Sequence, residues 1–443
     1  MPKAKIKFLL HTEHRPEQSK ATTHMKLLNI VHRYWPYRGG SEQYFAEMSE
    51  RLVRDGHEVS IFTTNAWATE YFITKKIDYT SRNIISTPQE IHNGVTIRRF
   101  PVRHFPFAHG RIMHWLSRVP LSKMEAAFSF PSPLIPSLWT ELFFHRGKKY
   151  DIVHTSPFPF NSLMLAACLF TRKNNIPLVI TPFFHIGEPD NPRILQRYNH
   201  PYQIWLLKMA DAIIVQTGTE TDFLQSVGIP KEKITVMGMG VNPDEIIPGS
   251  RDRFLEKFNI AKAKKIVLHI GALCEDKGTL HVVEALKQLW QENDQIFLIL
   301  AGDKLDSFHR YFGHQPEKIR NNILILDFVQ GQDKRDMFHA ADVVVLPSRI
   351  ESYGIVYLEA WLARKPVVGS DAGGVPYVIN NMENGIIVPF GDVEQISNSI
   401  EMLLSNDSLA SRMGEAGFYK VMSSATWDKR YPIFKNALLN QLK

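Results

Sequence analysis

The chain has few cysteines and no long apolar runs, and both absences narrow its class. Its 443 residues include two cysteines, Cys168 and Cys274, in neither a CxxC pair nor a cysteine–histidine cluster. This argues against a disulfide scaffold or a structural zinc site and favours a reducing compartment. No apolar run reaches the roughly 18 residues that a membrane-spanning helix needs. An apolar fraction of 44% and a charged fraction of 22% are typical of globular proteins.

The first 24 residues are polar and basic and lack the apolar core of a secretory signal. We expect residues 1–24 to be a disordered extension before a natural start at Met25, and we expect a cytoplasmic protein. The segment Arg98–Lys123 carries six basic and no acidic residues, with aromatics interleaved. It is either a solvated excursion or a surface for a membrane, an anionic lipid or a phosphorylated acceptor. No recognition motif for nucleic acid accompanies it, so we expect none to bind.

β-Branched runs alternate with helical patterns, which predicts parallel sheets covered by helices. One series of strands ends at Ile234–Val236 and another begins at Lys265–Ile270, with a Pro/Gly/Ser/Asp-rich stretch between them. We therefore predict an α/β protein of two Rossmann-like domains facing each other across a cleft. The predicted parts are an N-terminal domain at 25–245, a linker at 246–262, a C-terminal domain at 263–415, and a terminal helix at 416–443 that packs back on the first domain.

Three motifs follow predicted strands and therefore lie at the cleft. Gly39-Gly40, with Glu42 behind it, lets backbone approach a ligand at a helix N-terminus, although an ordinary tight turn explains it equally well. Lys277, in the loop Gly271–Gly278, stands where a cation can neutralise a phosphate. His185 either contacts a ligand or packs among aromatics. The complete GxxxxGK[ST] and GxGxxG phosphate-binding patterns are absent.

The most informative stretch is Glu351-Ser-Tyr-Gly-Ile-Val-Tyr-Leu-Glu359, in which two carboxylates flank a loop that enters a helix. Glu359 lies among apolar residues, where an unpaired carboxylate is costly. Eight helical residues rise about 12 Å, and the helix N-terminus between the acids favours an anion. The pattern therefore fits a ligand with hydroxyls at both ends and a diphosphate in the middle, such as a nucleotide-sugar.

These motifs together resemble the retaining family 4 glycosyltransferases (glycosyl transferases group 1) of the GT-B fold. The resemblance rests on Glu351…Glu359, Asp371-Ala-Gly-Gly374, Lys277-Gly278 and Gly39-Gly40 with Glu42. It implies a metal-independent retaining hexosyltransferase that requires no cofactor. The implied donor is a nucleoside-diphosphate sugar, with a UDP-sugar favoured, and the acceptor is a hydroxyl of a glycan, a lipid-linked molecule or a small molecule. The N-terminal domain is then the acceptor side, and the C-terminal domain binds the donor.

The resemblance also implies roles for individual residues. The catalytic candidates are Glu351 at the donor sugar, Lys277 at the leaving diphosphate and His185 near the sugar. The donor-binding candidates are Glu359 at the ribose, the backbone at Gly354, Ile355 and Val356, and Gly271 with Lys277. The candidates that line the acceptor side of the cleft are Gly39, Gly40 and Glu42.

Three positions depart from the family pattern and keep other interpretations open. Ala272 stands where the family has an arginine that shares the diphosphate, Phe183 stands where it has a histidine, and Tyr377 replaces a common glutamate. A non-catalytic nucleotide-sugar-binding homologue, acting as a subunit of a complex, is therefore one alternative. A nucleotide-sugar epimerase is another, although it needs additional acid and base residues that we do not find. An NAD-dependent oxidoreductase fits poorly, because Gly238-Met-Gly240 is only a fragment of its fingerprint.

Overall fold

Two β-sheets with helices packed around them make up the described part of the chain. The computed structural model describes residues 24–37, 39–67, 72, 84–103, 133–144, 149–156 and 160–442. The first sheet and its helices comprise β1 Lys26–Val31, α1 Gly40–Arg54, β2 Glu58–Thr64, β3 Gln89–His92, β4 Val95–Phe100, α2 Pro136–Phe144, β5 Ile152–Ser156, α3 Asn161–Asn174, β6 Leu178–Ile180, α4 Pro201–Lys208, β7 Ala212–Val215, α5 Gly218–Ser226 and β8 Ile234–Val236.

The second sheet follows a short segment after β8. Its elements are α6 Arg251–Lys257, β9 Lys265–Ile270, α7 Thr279–Leu289, β10 Ile296–Ala301, α8 Asp306–Gly313, α9 Glu317–Arg320, β11 Ile323–Leu326, α10 Gly331–Ala340, β12 Val343–Leu346, α11 Ile355–Leu362, β13 Val367–Ser370, α12 Val375–Val378 and β14 Gly385–Val388. Three helices complete the chain: α13 Val393–Ser405, α14 Asp407–Ser424 and α15 Trp427–Leu439. Within the described residues, no helix is both long and apolar enough to cross a membrane.

The strand orders are those of doubly wound sheets. The first sheet has the order β3-β4-β2-β1-β5-β6-β7-β8, and the second has the order β11-β10-β9-β12-β13-β14. The central strands are buried along their whole length, as the four residues Val343–Leu346 of β12 illustrate. Such continuous apolar runs suit parallel strands covered on both faces. The prediction of an α/β protein with two Rossmann-like sheets is confirmed.

One strand of the first sheet runs against the others and was missing from the sequence prediction. β3 pairs antiparallel with β4, and all other strand pairs in the described sheets are parallel. The turn between them is Asn93-Gly94, with φ angles of 47° and 78°. Both residues therefore occupy the left-handed region that tight hairpins require. β3 lacks a buried face, so its apolar pattern gave no signal.

Ion pairs inside the first domain neutralise part of the positive charge of the basic segment Arg98–Lys123. Arg98 pairs with Glu141 of α2 at 2.6 Å, and the buried Arg99 pairs with Glu90 of β3. These two arginines therefore do not contribute to an exposed basic surface, because carboxylates distant in sequence neutralise them. Residues 104–123 of the segment, with its basic residues Arg111, Arg118 and Lys123, lie outside the described residues.

The terminal helix α15 contacts α1 of the first domain. Asp428 pairs with Arg51 at 2.9 Å, and Lys435 and Tyr431 both contact the carboxylate of Asp55, at 2.5 and 2.6 Å. Within the predicted linker, residues 251–257 form α6, and Arg253 of this helix pairs with the second domain. We propose the domain boundaries that the sequence predicts, 25–245 and 263–415, with 246–262 between them.

Candidate active site

Loops after β9 and β12 of the second sheet bring two predicted catalytic residues into contact. These neighbouring parallel strands end at the same edge of the sheet, where ligands of doubly wound folds bind. Lys277 lies two residues before α7, and its Nζ is 2.6 Å from Oε2 of Glu351 in the loop before α11. Both side chains are mostly buried, with 19% and 16% exposed. This partly desolvated ion pair can therefore contact a polar ligand that binds at the edge of the sheet.

The Asp371–Gly374 motif supports the backbone of Glu351. The amide of Gly374 donates to the carbonyl of Glu351 at 2.9 Å. A Cβ on Gly373, whose φ is 61°, would overlap that same carbonyl, and a Cβ on Gly374 would overlap the carbonyl of Ser352. The paired glycines are therefore needed because two backbone segments touch here.

Helix α11 begins directly after Gly354, whose φ of 92° excludes most side chains. The stretch between Glu351 and Glu359 is thus a loop followed by little more than one helical turn, rather than eight helical residues. Glu359 is 7% exposed, and its Oε1 lies 2.6 Å from Nζ of Lys334 on α10. The costly burial of this carboxylate is therefore compensated by a lysine that sequence reasoning had not selected.

On the first domain, His185 lies in the loop after β6. Burial and the charge of Lys277, partly offset by Glu351, lower the pKa of His185 to about 4. The ring packs edge-on against Tyr198 at 5.8 Å, and its Nδ1 is buried without a hydrogen-bond partner among the described residues. His185 is therefore a neutral imidazole within the electrostatic reach of both members of the Lys277–Glu351 pair.

Glu220 of α5 holds this loop from beneath. Its Oε2 accepts from the amide of Phe184 at 3.3 Å, and its Oε1 accepts from the amide of Gln216 at 3.1 Å. Burial raises the pKa of Glu220 to about 8, although these hydrogen bonds act in the opposite direction. The carboxyl is therefore largely protonated at neutral pH. The stability of the folded state thus depends on pH through this group.

We expect Glu220→Gln to change how the melting temperature depends on pH. The folded state keeps the Glu220 proton up to a pKa of about 8, whereas the ordinary value is 4.5. Between these values the folded state binds more protons than the unfolded state, so Glu220 makes stability fall as pH rises. Melting curves of both proteins from pH 4.5 to 8 should show the wild type losing stability relative to the variant. Parallel curves would contradict the assignment, and buried histidines cancel in the difference.

The predicted acceptor residues form a compact polar cluster at the start of α1. Glu42 is 3% exposed, and its carboxylate contacts Arg33 Nε at 3.0 Å, His32 Nε2 at 3.3 Å and Ser41 Oγ at 3.0 Å. Burial alone would raise the pKa of Glu42. The hydrogen bond and charge from His32 and the charge of Arg33 outweigh burial and lower this pKa to about 2. Glu42 is thus an internal anion that holds its neighbours in place.

Contacts cross from the first domain to the second beside these groups. A Cβ on Gly40 would lie 3.7 Å from Ile355 Cδ1, so the N-termini of α1 and α11 face each other. The amide of Gly373 donates to the carbonyl of Gly187 at 2.8 Å. Tyr377 lies against Gly218 at the start of α5. The structure therefore gathers Lys277, Glu351, His185 and the Gly39-Gly40 turn at one interdomain cleft.

Several further charged residues at the cleft were missed by sequence reasoning: Arg33, Glu188, Asp276, Lys334 and Arg349. Arg349 and Asp276 each lie close to a selected residue in sequence, being two residues before Glu351 and one before Lys277. This proximity was the available signal. Among the described residues, no group of three or more His, Cys, Asp or Glu side chains has a metal-binding arrangement.

Gly278, next to Lys277, provides a test of the local backbone. Its φ is 78°, and an added Cβ would overlap the carbonyl of Pro347. We expect Gly278→Ala to destabilise the protein by about 1–3 kcal/mol, measured by urea unfolding. Gly313→Ala is the matched control, since its Cβ meets nothing within 4 Å and its φ is not positive. Equal stabilities for the two variants would show that the turn relaxes freely.

Two family models and several relatives match most of the chain. The model described as Glycosyltransferase Family 4 matches residues 38–245, and the model described as Glycosyl transferases group 1 matches residues 250–419. The D-inositol 3-phosphate glycosyltransferase of Corynebacterium aurimucosum is 27% identical over 402 residues, covering 85% of this chain and 86% of the relative. An uncharacterized glycosyltransferase of Methanocaldococcus jannaschii is 23% identical over 414 residues, covering 91% and 95%.

Solved structures share the fold. HepE of Anabaena, solved in complex with UDP and glucose, aligns with a TM-score of 0.70 at 17% identity, covering 94% of this chain and 99% of that one. Sucrose-phosphate synthase of Thermosynechococcus elongatus aligns with a TM-score of 0.68 at 18% identity, covering 94% and 99%. Because the two family models together span both domains, the chain is a glycosyltransferase of family 4 with the GT-B fold.

Proposed function

We propose that the chain transfers a hexose from a UDP-sugar to an acceptor hydroxyl with retention of anomeric configuration and without a metal ion. The observation that carries the proposal is the Lys277–Glu351 contact of 2.6 Å at the second sheet's edge. A lysine beside the diphosphate and a carboxylate beside the sugar hydroxyls match the two ends of such a donor. The HepE complex with UDP-glucose, on the same fold, supports a UDP-sugar.

Both carboxylates of the Glu351–Glu359 stretch then accept hydrogen bonds from sugar hydroxyls. Glu351, beside Lys277, accepts from hydroxyls of the transferred hexose. Glu359, beside Lys334, accepts from hydroxyls of the ribose. Lys334 orients Glu359 through a contact of 2.6 Å. The backbone N–H groups of Gly354, Ile355 and Val356 face the diphosphate, since the first amides of a helix lack internal partners. Gly271 lets the backbone of its loop approach the same ligand, with its φ of 145°.

The proposed reaction takes place on one face of the sugar. The acceptor oxygen bonds to the anomeric carbon from the side on which the bond to the diphosphate oxygen breaks, and the leaving diphosphate takes the acceptor's proton. Lys277 stabilises the negative charge that develops on the leaving group. The imidazole of His185, whose pKa is about 4, is neutral and offers a hydrogen bond rather than a charge. The remaining rate gain comes from positioning in the cleft.

The acceptor side consists of the Gly39-Gly40 turn, with Glu42 holding Arg33 and His32 behind it. A glycan, lipid-linked or small-molecule hydroxyl enters here, opposite the start of α11. Contact with a membrane through the basic residues after Arg103 is a further proposal, on residues outside those described. The alternative of a non-catalytic sugar-nucleotide-binding homologue is favoured by Ala272 and Phe183, which replace two polar residues of the family pattern.

A panel of UDP-, GDP- and ADP-sugars tests the proposal by calorimetric binding and by release of the nucleoside diphosphate. We expect binding and turnover of a UDP-sugar, unchanged by EDTA, with the product's anomeric configuration read by NMR. Binding without hydrolysis or transfer would support the non-catalytic alternative. Interconversion of the donor's sugar would support an epimerase. An inverted product would contradict the retaining mechanism.

A further inference from the structure

The guanidinium of Arg349 is surrounded by carboxylates from both domains. Its Nε and Nη2 lie 2.7 and 2.6 Å from Oδ1 of Asp276, and its Nη2 lies 3.9 Å from Glu275. Its Nη1 lies 3.7 Å from Oε1 of Glu188 in the first domain. The side chain is 17% exposed and its guanidinium lies 4.7 Å from the centre of the Phe390 ring. Arg349 is therefore fixed by several contacts at the boundary of the domains.

The loops joined by Arg349 are those that carry the catalytic candidates. Asp276 directly precedes Lys277, and Arg349 itself is two residues before Glu351. Glu188 follows His185 by three residues. The main-chain amide of Arg349 also donates to the carbonyl of Asp276 at 3.0 Å, which joins the loop after β9 to the loop after β12. One side chain thus connects Lys277, Glu351 and His185 through their neighbours.

The positive charge of Arg349 is needed because it separates carboxylates of the two domains. Glu188 is 18% exposed, and its Oε2 is buried without a hydrogen-bond partner among the described residues. Without Arg349, this carboxylate would face Asp276 and Glu275 across the cleft with no cation between them. Like charges in a partly dry site repel strongly, because water screens them poorly. With its charge already compensated, Arg349 is also unsuited to replace the arginine missing at Ala272.

A second contact depends on the same closure. The hydrogen bond from Gly373 to Gly187 joins the loop that supports Glu351 to the residue before Glu188. This bond has no side chain to adjust its length, so any separation of the domains at Glu188 breaks it. The ion pairs of Arg349 and this backbone bond form one continuous interdomain contact.

We propose that Arg349 is a positioning residue that holds the cleft closed by joining Asp276 to Glu188, and thereby places His185 opposite Lys277 and Glu351. The inference rests on the proposed transfer for its kinetic consequences. Its structural consequence, closure through an arginine between carboxylates of the two domains, is independent of which donor the protein uses.

The test compares wild type, Arg349→Ala, Glu188→Gln and the double variant. We expect Arg349→Ala to lower kcat for UDP-sugar turnover about tenfold, equivalent to about 1.4 kcal/mol, and to increase the radius of gyration in small-angle X-ray scattering. Because Glu188→Gln removes the repulsion, the double variant should recover part of both losses. High salt should compact Arg349→Ala only in part, because Asp276 and Glu275 are 36% and 55% exposed and are screened, whereas Glu188 is 18% exposed.

Arg364→Ala is the matched control. Arg364 also pairs with a carboxylate, Glu415, and its guanidinium lies 3.8 Å from the centre of the Phe418 ring, but both partners belong to α14. Its radius of gyration and kcat should stay those of the wild type. If Arg349→Ala lowers only the melting temperature, with unchanged scattering and kcat, or if Glu188→Gln gives no recovery, the inference is wrong.

Failure of the proposed function gives a different result. A wild type that neither binds UDP nor turns over any UDP-sugar contradicts the donor assignment. The scattering of the same four proteins without ligand then still decides whether Arg349 holds the domains together. A radius of gyration that is the same for all four overturns the closure by itself.

Discussion

Replacing Lys277 with alanine is expected to lower kcat for UDP-sugar transfer about 100- to 1,000-fold, the effect of removing one fixed donor to a developing anion. Lys277 is held 2.6 Å from Glu351, so its ammonium is oriented before the donor arrives. No second cation stands at position 272, where alanine leaves Lys277 as the single basic residue of the loop Gly271–Gly278. The loss should therefore lie at the upper end of this range.

The controls for Lys277→Ala separate charge from folding. Lys287→Ala removes a lysine from the surface of α7, where it pairs with Glu284, and should keep wild-type kcat. Ala272→Arg, introduced into Lys277→Ala, should restore part of the activity by supplying a cation to the same loop. Steady-state kinetics and circular dichroism measure both properties. Wild-type kcat in a folded Lys277→Ala protein would exclude the leaving-group role.

Much of the fold was predictable because the signals are local. Strands such as β9 and β12 are β-branched runs buried on both faces, and a run of this kind indicates a covered parallel strand wherever it occurs. The end of each strand then marks the cleft, which is why the sequence predicts Lys277 and Glu351 as residues of the site. The architecture of two such sheets follows from the same pattern.

The rest could not be predicted because it depends on partners distant in sequence. The pairing of Arg98 with Glu141 spans 43 residues, and that of Arg349 with Glu188 joins two domains. Nothing around Arg98 in the sequence shows that its charge is neutralised. The strand β3 is different, since Asn93-Gly94 is a strong hairpin signal that was overlooked beside a strand without an apolar face.

The candidate site shows the same division. The residue types at positions 277, 351 and 359 are visible in the sequence, but which charged residues pair with them is not. Lys334 reaches Glu359 from another helix, α10, and explains how an acid tolerates an apolar surrounding. Glu42 is predicted to line the acceptor side, but its carboxylate contacts Arg33 and His32. Its effect on an acceptor therefore passes through these neighbours.

Replacing Glu351 with glutamine should lower kcat/KM about 100- to 1,000-fold, although the side chain keeps its shape. A neutral amide accepts sugar hydroxyls more weakly than a carboxylate does. Its carbonyl oxygen can still accept from the ammonium of Lys277, but a neutral acceptor binds the ammonium more weakly than a carboxylate does. The lysine, 19% exposed, then loses the charged partner that orients it. The loss thus combines a weaker sugar contact with a displaced cation.

A double-mutant cycle with Lys277→Ala separates these two parts. If Glu351 acts mainly by orienting Lys277, adding Glu351→Gln to Lys277→Ala costs little more, and the two effects are strongly non-additive. If Glu351 binds the sugar directly, it lowers kcat/KM in the Lys277→Ala background as well. Glu292→Gln, at an exposed side chain in the segment after α7, is the matched control. Wild-type kcat/KM in a folded Glu351→Gln protein would exclude both roles, because neither tolerates loss of the charge.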